Sequence, residues 1–251
     1  MTPRARQTLM LVAGAGLLAF FVWGAVGLPD FGHYRGPYGL VINHVAGSER
    51  QVTNAVASLV FDYRGYDTLG EELILFVSVV GVATLLRETR GEELPAGRDD
   101  ATEVPDTSDA LRVFGVVVVG VTLLIGLYIV AHGNLTPGGG FQGGVILGSA
   151  VLLVYLTGEL VMVRWVEPGT LLEILHSAGA AGLVLLGLGG LIAGGAFFHN
   201  FLYTGTEGGI NSGGIIELGN ATVGLEVMGA TILMASELLE QLLVVRRGSP
   251  A

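Results

Sequence analysis

The sequence contains no cysteine and no lysine. The first absence removes disulfides, thiolate metal sites, iron–sulfur ligation and cysteine catalysis from this chain. The second leaves all 12 cationic side chains as arginine, so a phosphate-loop lysine is excluded. Charge of either sign is scarce: 14% of residues are charged, where a soluble globule carries about 25%. The formal net charge of −10 argues against nucleic acid as a partner. Apolar side chains and glycine take the place of charge. Mean hydropathy is +0.66, and the 41 glycines are roughly twice the usual share of about 7%. That composition fits a lipid bilayer as solvent, where small residues let helix backbones approach closely.

A bilayer crossing needs about 20 mostly apolar residues. Six segments are candidates: Thr8 to Leu28, Leu69 or Glu72 to Leu86, Val113 to Ala131, Gly143 to Val163, Thr170 to Phe198, and Leu218 to Val245. The second and sixth carry internal carboxylates. The expected fold is therefore an all-α polytopic membrane helix bundle of about six transmembrane helices, two plus four. Between the two groups lies an acidic, proline-containing stretch, GEELPAGRDDATEVPDTSD, with the composition of an exposed linker. The division expected is a two-span unit over 1–90, a linker over 91–110 and a four-span unit over 111–251. Arginine placement orients the chain. With a cytoplasmic N-terminus, the inner segments hold Arg4, Arg6, Arg87, Arg90, Arg98, Arg112, Arg164, Arg246 and Arg247, and the outer ones hold Arg35, Arg50 and Arg64. The positive-inside rule then places both termini in the cytoplasm. A cleaved signal peptide is the rival for the first segment, but its apolar run exceeds the usual ~7–15 residues.

Three polar clusters invite both a functional and a structural reading. In FDYRGYDTLGEE (Phe61 to Glu72), Asp67 or Thr68 can cap the following helix, with Glu71 and Glu72 in its first turn and Arg64 as a partner. The stretch Thr53 to Phe61 before it suits a short interfacial helix. The functional reading gives Glu71 or Glu72 a proton or Na⁺ to handle, because carboxylates in membrane helices often mark ion routes. In AHGNLTPGGGFQGG (Ala131 to Gly144), Pro137, Gly138, Gly139 and Gly140 exclude regular helix and permit a tight outer turn. Phe141 then anchors the next helix, and Gly143 and Gly144 allow close packing. His132 and Asn134 either line a watery vestibule or are simply hydrogen-bonded. In the third cluster, Asn211 and Ser212 introduce a turn at Gly213 and Gly214, and Asn220 opens the last span. Glu226 falls well inside that span, where a charge costs about 2.5–3.5 kcal/mol on insertion scales. It must be protonated, paired or in reach of water. Thr222 shares its face, and His176 in the fifth span is a candidate partner. Glu159 and Glu237 lie nearer the cytoplasmic ends. No metal-ligand spacing or serine–histidine–acid grouping lies in one neighbourhood. Neither a cofactor, nor a bound metal, nor enzymatic catalysis by this chain is expected.

The runs HGNLTPGGGFQGGVILGSAVLL and NSGGIIELGNATVGLEV resemble the B subunit of Mrp (Mnh) Na⁺/H⁺ antiporters. The front run NAVASLVFDYRGYDTLGEELILFVSVVGVATLL resembles the C-terminal transmembrane region of the Mrp A subunit. In membrane-bound hydrogenases a region of this kind is a separate small membrane subunit. The resemblance covers most of the chain from about Asn54, without the linker. The fusion of the two parts departs from the usual Mrp arrangement. The resemblance implies a subunit of a multi-subunit monovalent cation (Na⁺)/proton antiporter in the plasma (inner) membrane, with other Mrp-type subunits, lipid, Na⁺ and H⁺ as its partners. It also implies that Glu71 and Glu72 match the family's acidic motif. His132, Asn134, Pro137 and the glycines after it match the B-subunit motif. A subunit of a hydrogenase-like energy-converting complex and a purely structural subunit are the alternatives.

Overall fold

The computed structural model describes residues 3–28, 36–86, 108–156 and 169–248. The linker expected over 91–110 therefore lies almost wholly outside the described residues, as do Glu159 and the last third of the fourth expected span. Every regular element among the described residues is helical. They are α1 (Pro3–Val26), α2 (Tyr38–Arg50), α3 (Ala55–Ser58) continued by a π turn (Leu59–Tyr63), α4 (Gly65–Leu86), α5 (Asp109–Ala131), α6 (Gly140–Leu156), α7 (Gly169–Gly194) and α8 (Ile215–Gly248).

Among the described residues, four stretches are long and apolar enough to cross a membrane: Gly65–Leu86, Asp109–Ala131, Thr170–Gly194 and Ile215–Leu238. Leu11–Val26 and Gly140–Val154 are apolar but shorter. The chain is thus a membrane protein built as an all-α bundle. Contacts divide it into two compact units, Met1–Val41 and Ile42–Ala251. In the first, α1 presents Phe20, Phe21 and Trp23 on its exterior as a tilted aromatic group. The second contains everything that follows.

In that second unit α8 is central, packed closely by α6 and α7 and also by α4, while α5 packs mainly on α6. Glycine decides how close these helices come. A Cβ on Gly144 would meet Val227 Cβ and the Gly224 carbonyl at 2.8 Å. A Cβ on Gly179 would meet the Glu226 nitrogen at 2.5 Å, and one on Gly229 would meet the His176 backbone nitrogen at 2.9 Å. Main chains in contact gain dispersion energy that larger side chains would forfeit in a solvent with no hydrophobic drive between helices. The same approach joins α5 to α6, where a Cβ on Gly143 would lie 2.9 Å from the Gly126 carbonyl.

The front connection differs in one detail from the sequence expectation. Asn54 caps α3 by accepting from the amides of Val56 and Ala57 at 3.1 and 3.3 Å, which agrees with a short helix over Thr53 to Phe61. However, α4 already begins at Gly65, so neither Asp67 nor Thr68 is its cap. Asp67 sits in the first turn paired with Arg64. Thr68 donates instead to the Val60 carbonyl at 2.5 Å. Gly65 permits this early start because Phe198 fills the space a side chain would take, with its Cγ 2.8 Å from the Cβ position. Glu71 and Glu72 consequently fall in the second turn, beyond the capping zone.

These contacts predict that Gly144→Ala overpacks the α6–α8 crossing and costs about 1–3 kcal/mol. Gly120→Ala, with nothing within 4 Å of the new methyl, is expected to be neutral. Thermal unfolding of both variants in detergent tests the contrast, and equal melting temperatures would contradict it.

Candidate functional site

At one end of the bundle the helices are tied together by asparagines. Asn54 donates to the carbonyls of Gly133 and Thr136 at 2.7 and 2.9 Å, hooking the front connection onto the loop between α5 and α6. Asn134, 1% exposed, donates to the Ile210 and Ser212 carbonyls at 3.0 and 2.8 Å. Asn220 accepts from the Gly140 amide at 2.8 Å and donates to the Ile216 carbonyl at 3.0 Å. Asn200 accepts from the Ile215 amide at 3.1 Å, supplying one of the partners the start of α8 lacks. It also donates to the Gly213 carbonyl at 2.8 Å and to Asp62 at 3.1 Å.

Asp62 lies 2.5 Å from Arg50 Nε, an ion pair by proximity, although the N–H is not aimed for a hydrogen bond of normal geometry. Burial pushes the Asp62 carboxyl up from its ordinary range, against the lowering by Asn200 and Arg50. Burial and the hydrogen bond to Glu49 push Tyr63 up to about 12. This layer is a lock of neutral and paired groups.

Two expected residues belong to it in a structural way. His132 is half-buried, stacked on Tyr128 with ring centroids 4.1 Å apart, and its Nδ1 lies 3.0 Å from the Tyr128 carbonyl. Asn134 is locked as described, with only its Oδ1 lacking a partner. Pro137, Gly138 and Phe141 are exposed, while Gly139, Gly140, Gly143 and Gly144 are buried. Gly138 and Gly139 have φ of 124° and 132°, a region closed to side chains, and so make the expected turn. Gly213 and Gly214, at φ of 88° and 62°, do the same before α8, beside an exposed Asn211.

Below the lock, three titratable side chains meet at the seam of α4, α7 and α8. Glu72 is 3% exposed, His176 3% and Glu226 0%. Glu72 and Phe76 occupy one face of α4, four residues apart, and Phe76 stacks on the His176 ring at 4.9 Å and 16°. His176 Nδ1 lies 3.2 Å from the main-chain oxygen of Glu226. A carbonyl only accepts, so Nδ1 carries the proton and Nε2 the lone pair. Glu226 lies close enough to Glu72 to feel its charge. Neither oxygen of Glu226, nor Oε2 of Glu72, nor His176 Nε2 has a hydrogen-bond partner. Glu226 stands 11 residues into α8, about 16 Å along its axis at about 1.5 Å per residue, which is near the middle of a ~30 Å hydrocarbon layer. Thr222, expected on the same face, donates to the Gly219 carbonyl instead.

The sequence left Glu71 and Glu72 undivided, whereas the structure separates them. Glu71 faces outward from α4 and Glu72 inward. Asp67 and His132 are engaged elsewhere, as above. Sequence reasoning missed the participation of Phe76, Glu173 and Ser177. With Thr84, Leu233 and Glu237 they border a cavity of about 340 Å³ that His176 also lines. The spacing of His176 and Glu173 one turn apart was a usable signal for the α7 part of it.

The family model described as a domain related to the MnhB subunit of Na⁺/H⁺ antiporters matches residues 110–233. An uncharacterized protein of Methanocaldococcus jannaschii is 31% identical over 228 residues, spanning 84% of this chain and 86% of the relative. Among solved structures, a chain of the membrane-bound sulfane sulfur reductase, an archaeal respiratory membrane complex, is similar with a TM-score of 0.67 and 28% identity. It covers 94% of this chain and 98% of that one. A chain of the Mrp complex from Dietzia sp. shares the fold with a TM-score of 0.65 at 23% identity, over 95% of this chain but 26% of that longer one.

The asparagine lock gives a test of its own. Asn220→Ala leaves the buried Gly140 amide without its acceptor, at a cost of about 1–3 kcal/mol. Asn211→Ala, on an exposed side chain, is expected to cost little. Lower yield of folded protein and a lower Tm for the first variant alone are the expected results.

Proposed function

We propose that this chain, which belongs to the family of domains related to the MnhB subunit of Na⁺/H⁺ antiporters, borders the ion path of a multi-subunit assembly with the carboxylates of Glu72 and Glu226. The family is one of transporter subunits, and the part assigned to this chain is ion handling and assembly without covalent chemistry. Its place is the plasma membrane with both termini cytoplasmic, as the arginine distribution favours. The units over 1–90 and 111–251 act as two modules joined by the linker over 91–110.

One observation carries the reading: two carboxylates buried on neighbouring helices, with oxygens that no protein group partners. A carboxylate at that depth is tolerated when it holds a proton, binds a cation or reaches water. Two of them in one electrostatic field disfavour double ionisation. Such a pair holds a proton in one state and exchanges it for a small cation in another, which is the elementary step of antiport. Exposed Glu71 would serve the approach to the pair, beside which His176 lies.

A second reading has a specific observation behind it. The chain of the sulfane sulfur reductase complex is matched over 98% of its length, whereas the Mrp chain is matched over only 26%. A free-standing subunit with both modules therefore has its counterpart in a respiratory complex, where ion movement would be coupled to electron transfer.

Na⁺/H⁺ exchange in everted vesicles carrying the whole complex tests the proposal. Glu72→Gln and Glu226→Gln are each expected to lower exchange by at least about 100-fold, the scale of losing a positioned proton-transfer group, while the complex still co-purifies. Wild-type exchange by both intact variants would leave the chain a scaffold. Co-purification of redox subunits, with ion flux that depends on an electron donor, would select the respiratory reading.

A further inference from the structure

We propose that His176 relays protons between the cavity at the α4–α7–α8 seam and the Glu72–Glu226 pair, which makes that cavity the water-filled entrance to the pair. The inference rests on the reading of those carboxylates as part of the ion path.

The cavity is formed where the second halves of α4 and α8 meet the first turns of α7, lined by Val80, Ala83, Thr84, Glu173, Ser177 and Glu237 among others. These are the ends flanked in sequence by Arg87, Arg164 and Arg246, so it opens on the cytoplasmic side in the arginine-based orientation. A volume of about 340 Å³ accommodates several waters, since one needs on the order of 10–15 Å³. Two carboxyl groups, two hydroxyls and an imidazole along its wall make water the suitable filling rather than a lipid tail.

His176 is the point where the cavity meets the bundle interior. The ring is 3% exposed and lines the cavity. One face is covered by Phe76 and Nδ1 is held on the Glu226 main chain, so the ring is fixed in orientation and tautomer. Nε2 has no hydrogen-bond partner of normal geometry, and the Phe76 main chain lies beside the ring. The titratable groups around it are Glu72 from α4, Glu226 and Glu237 from α8, and Glu173 one turn earlier on α7. Glu72 and Glu226 are buried, whereas Glu173 and Glu237 border the cavity.

The step balances without any further reactant. A proton from cavity water adds to the Nε2 lone pair and gives an imidazolium. Release of the same proton through water to a carboxylate of the pair restores the neutral ring and neutralises one negative charge. The Nδ1–H bond stays intact throughout. Running in reverse, the steps discharge a proton from the pair to the cytoplasm when a cation takes its place.

The absence of cysteine from this chain makes the test direct. In the whole complex in everted vesicles, Ser177→Cys and Thr84→Cys are treated with a charged, membrane-impermeant thiol reagent, and the mass of this chain reports labelling. Both are expected to label, with loss of exchange at Ser177→Cys, while lipid-facing Leu124→Cys stays unlabelled. His176→Gln is expected to lower exchange by at least about tenfold and to flatten its pH dependence, with assembly intact. Failure of both cavity cysteines to label overturns the proposal, even if His176→Gln does not assemble. So does an assembled His176→Gln complex with the wild-type rate and pH profile. If Glu72→Gln and Glu226→Gln abolish exchange in that case, the relay alone is wrong. If they too are silent, the carboxylate path is wrong as well.

Discussion

The arrangement depends on how closely α7 and α6 lie on α8. Their contact is made by main chains, because Gly144, Gly179 and Gly229 leave no side chain between the helices. That closeness brings a ring on α7 within hydrogen-bonding reach of a carbonyl inside α8, a group that normally lies behind a sheath of side chains. Had Gly179 carried even a methyl, the helix would stand off and His176 would lose the oxygen that fixes its tautomer. Close packing here therefore serves chemistry as well as stability: it converts a flexible histidine into an oriented one.

The asparagines of the lock solve a different problem. Loops at the membrane surface carry carbonyls and amides that must find partners, and this chain supplies them from neutral side chains reaching across long sequence distances. Asn54 reaches 79 residues to Gly133, and Asn200 reaches 138 residues back to Asp62. A neutral amide both donates and accepts, so four of them can close the bundle without adding charge. The result separates the two layers by chemistry. Above, polar groups are largely satisfied or paired; below, three buried titratable groups keep unpartnered atoms.

Much of this was legible in the sequence, and the exceptions have physical reasons. Glu226 stood out because a lone acid interrupts an apolar run, and the glycine turns because Pro137 followed by three glycines permits little else. The choice between Glu71 and Glu72 was not legible. Adjacent residues on a helix point about 100° apart, and which one faces inward depends on where the helix starts. Gly65 allows a start two residues before Asp67, and the reason lies on Phe198, more than a hundred residues away. The asparagine partners were hidden for the same cause, since a hydrogen bond of that range leaves no local pattern. The cavity was invisible because part of its wall is ordinary valine and alanine, and a void is a property of the gap between helices.

The missing lysine acquires a meaning in this setting. All the cationic side chains are arginines that stay charged at any physiological pH, and by sequence they lie outside or at the ends of the apolar segments. Among the described residues, no arginine pairs with Glu72 or Glu226. Under the proposed function, what neutralises them is mobile: a proton, a small cation, or the transient charge of an imidazole. A fixed lysine would form a lasting ion pair and leave the carboxylates ionised in every state of a transport cycle. With His176 as the proposed relay, their protonation is coupled to whatever supplies protons to its Nε2. On the proposed relay, the acid pair answers to protons from one side of the membrane, which is a requirement for any device that exchanges ions rather than merely letting them through.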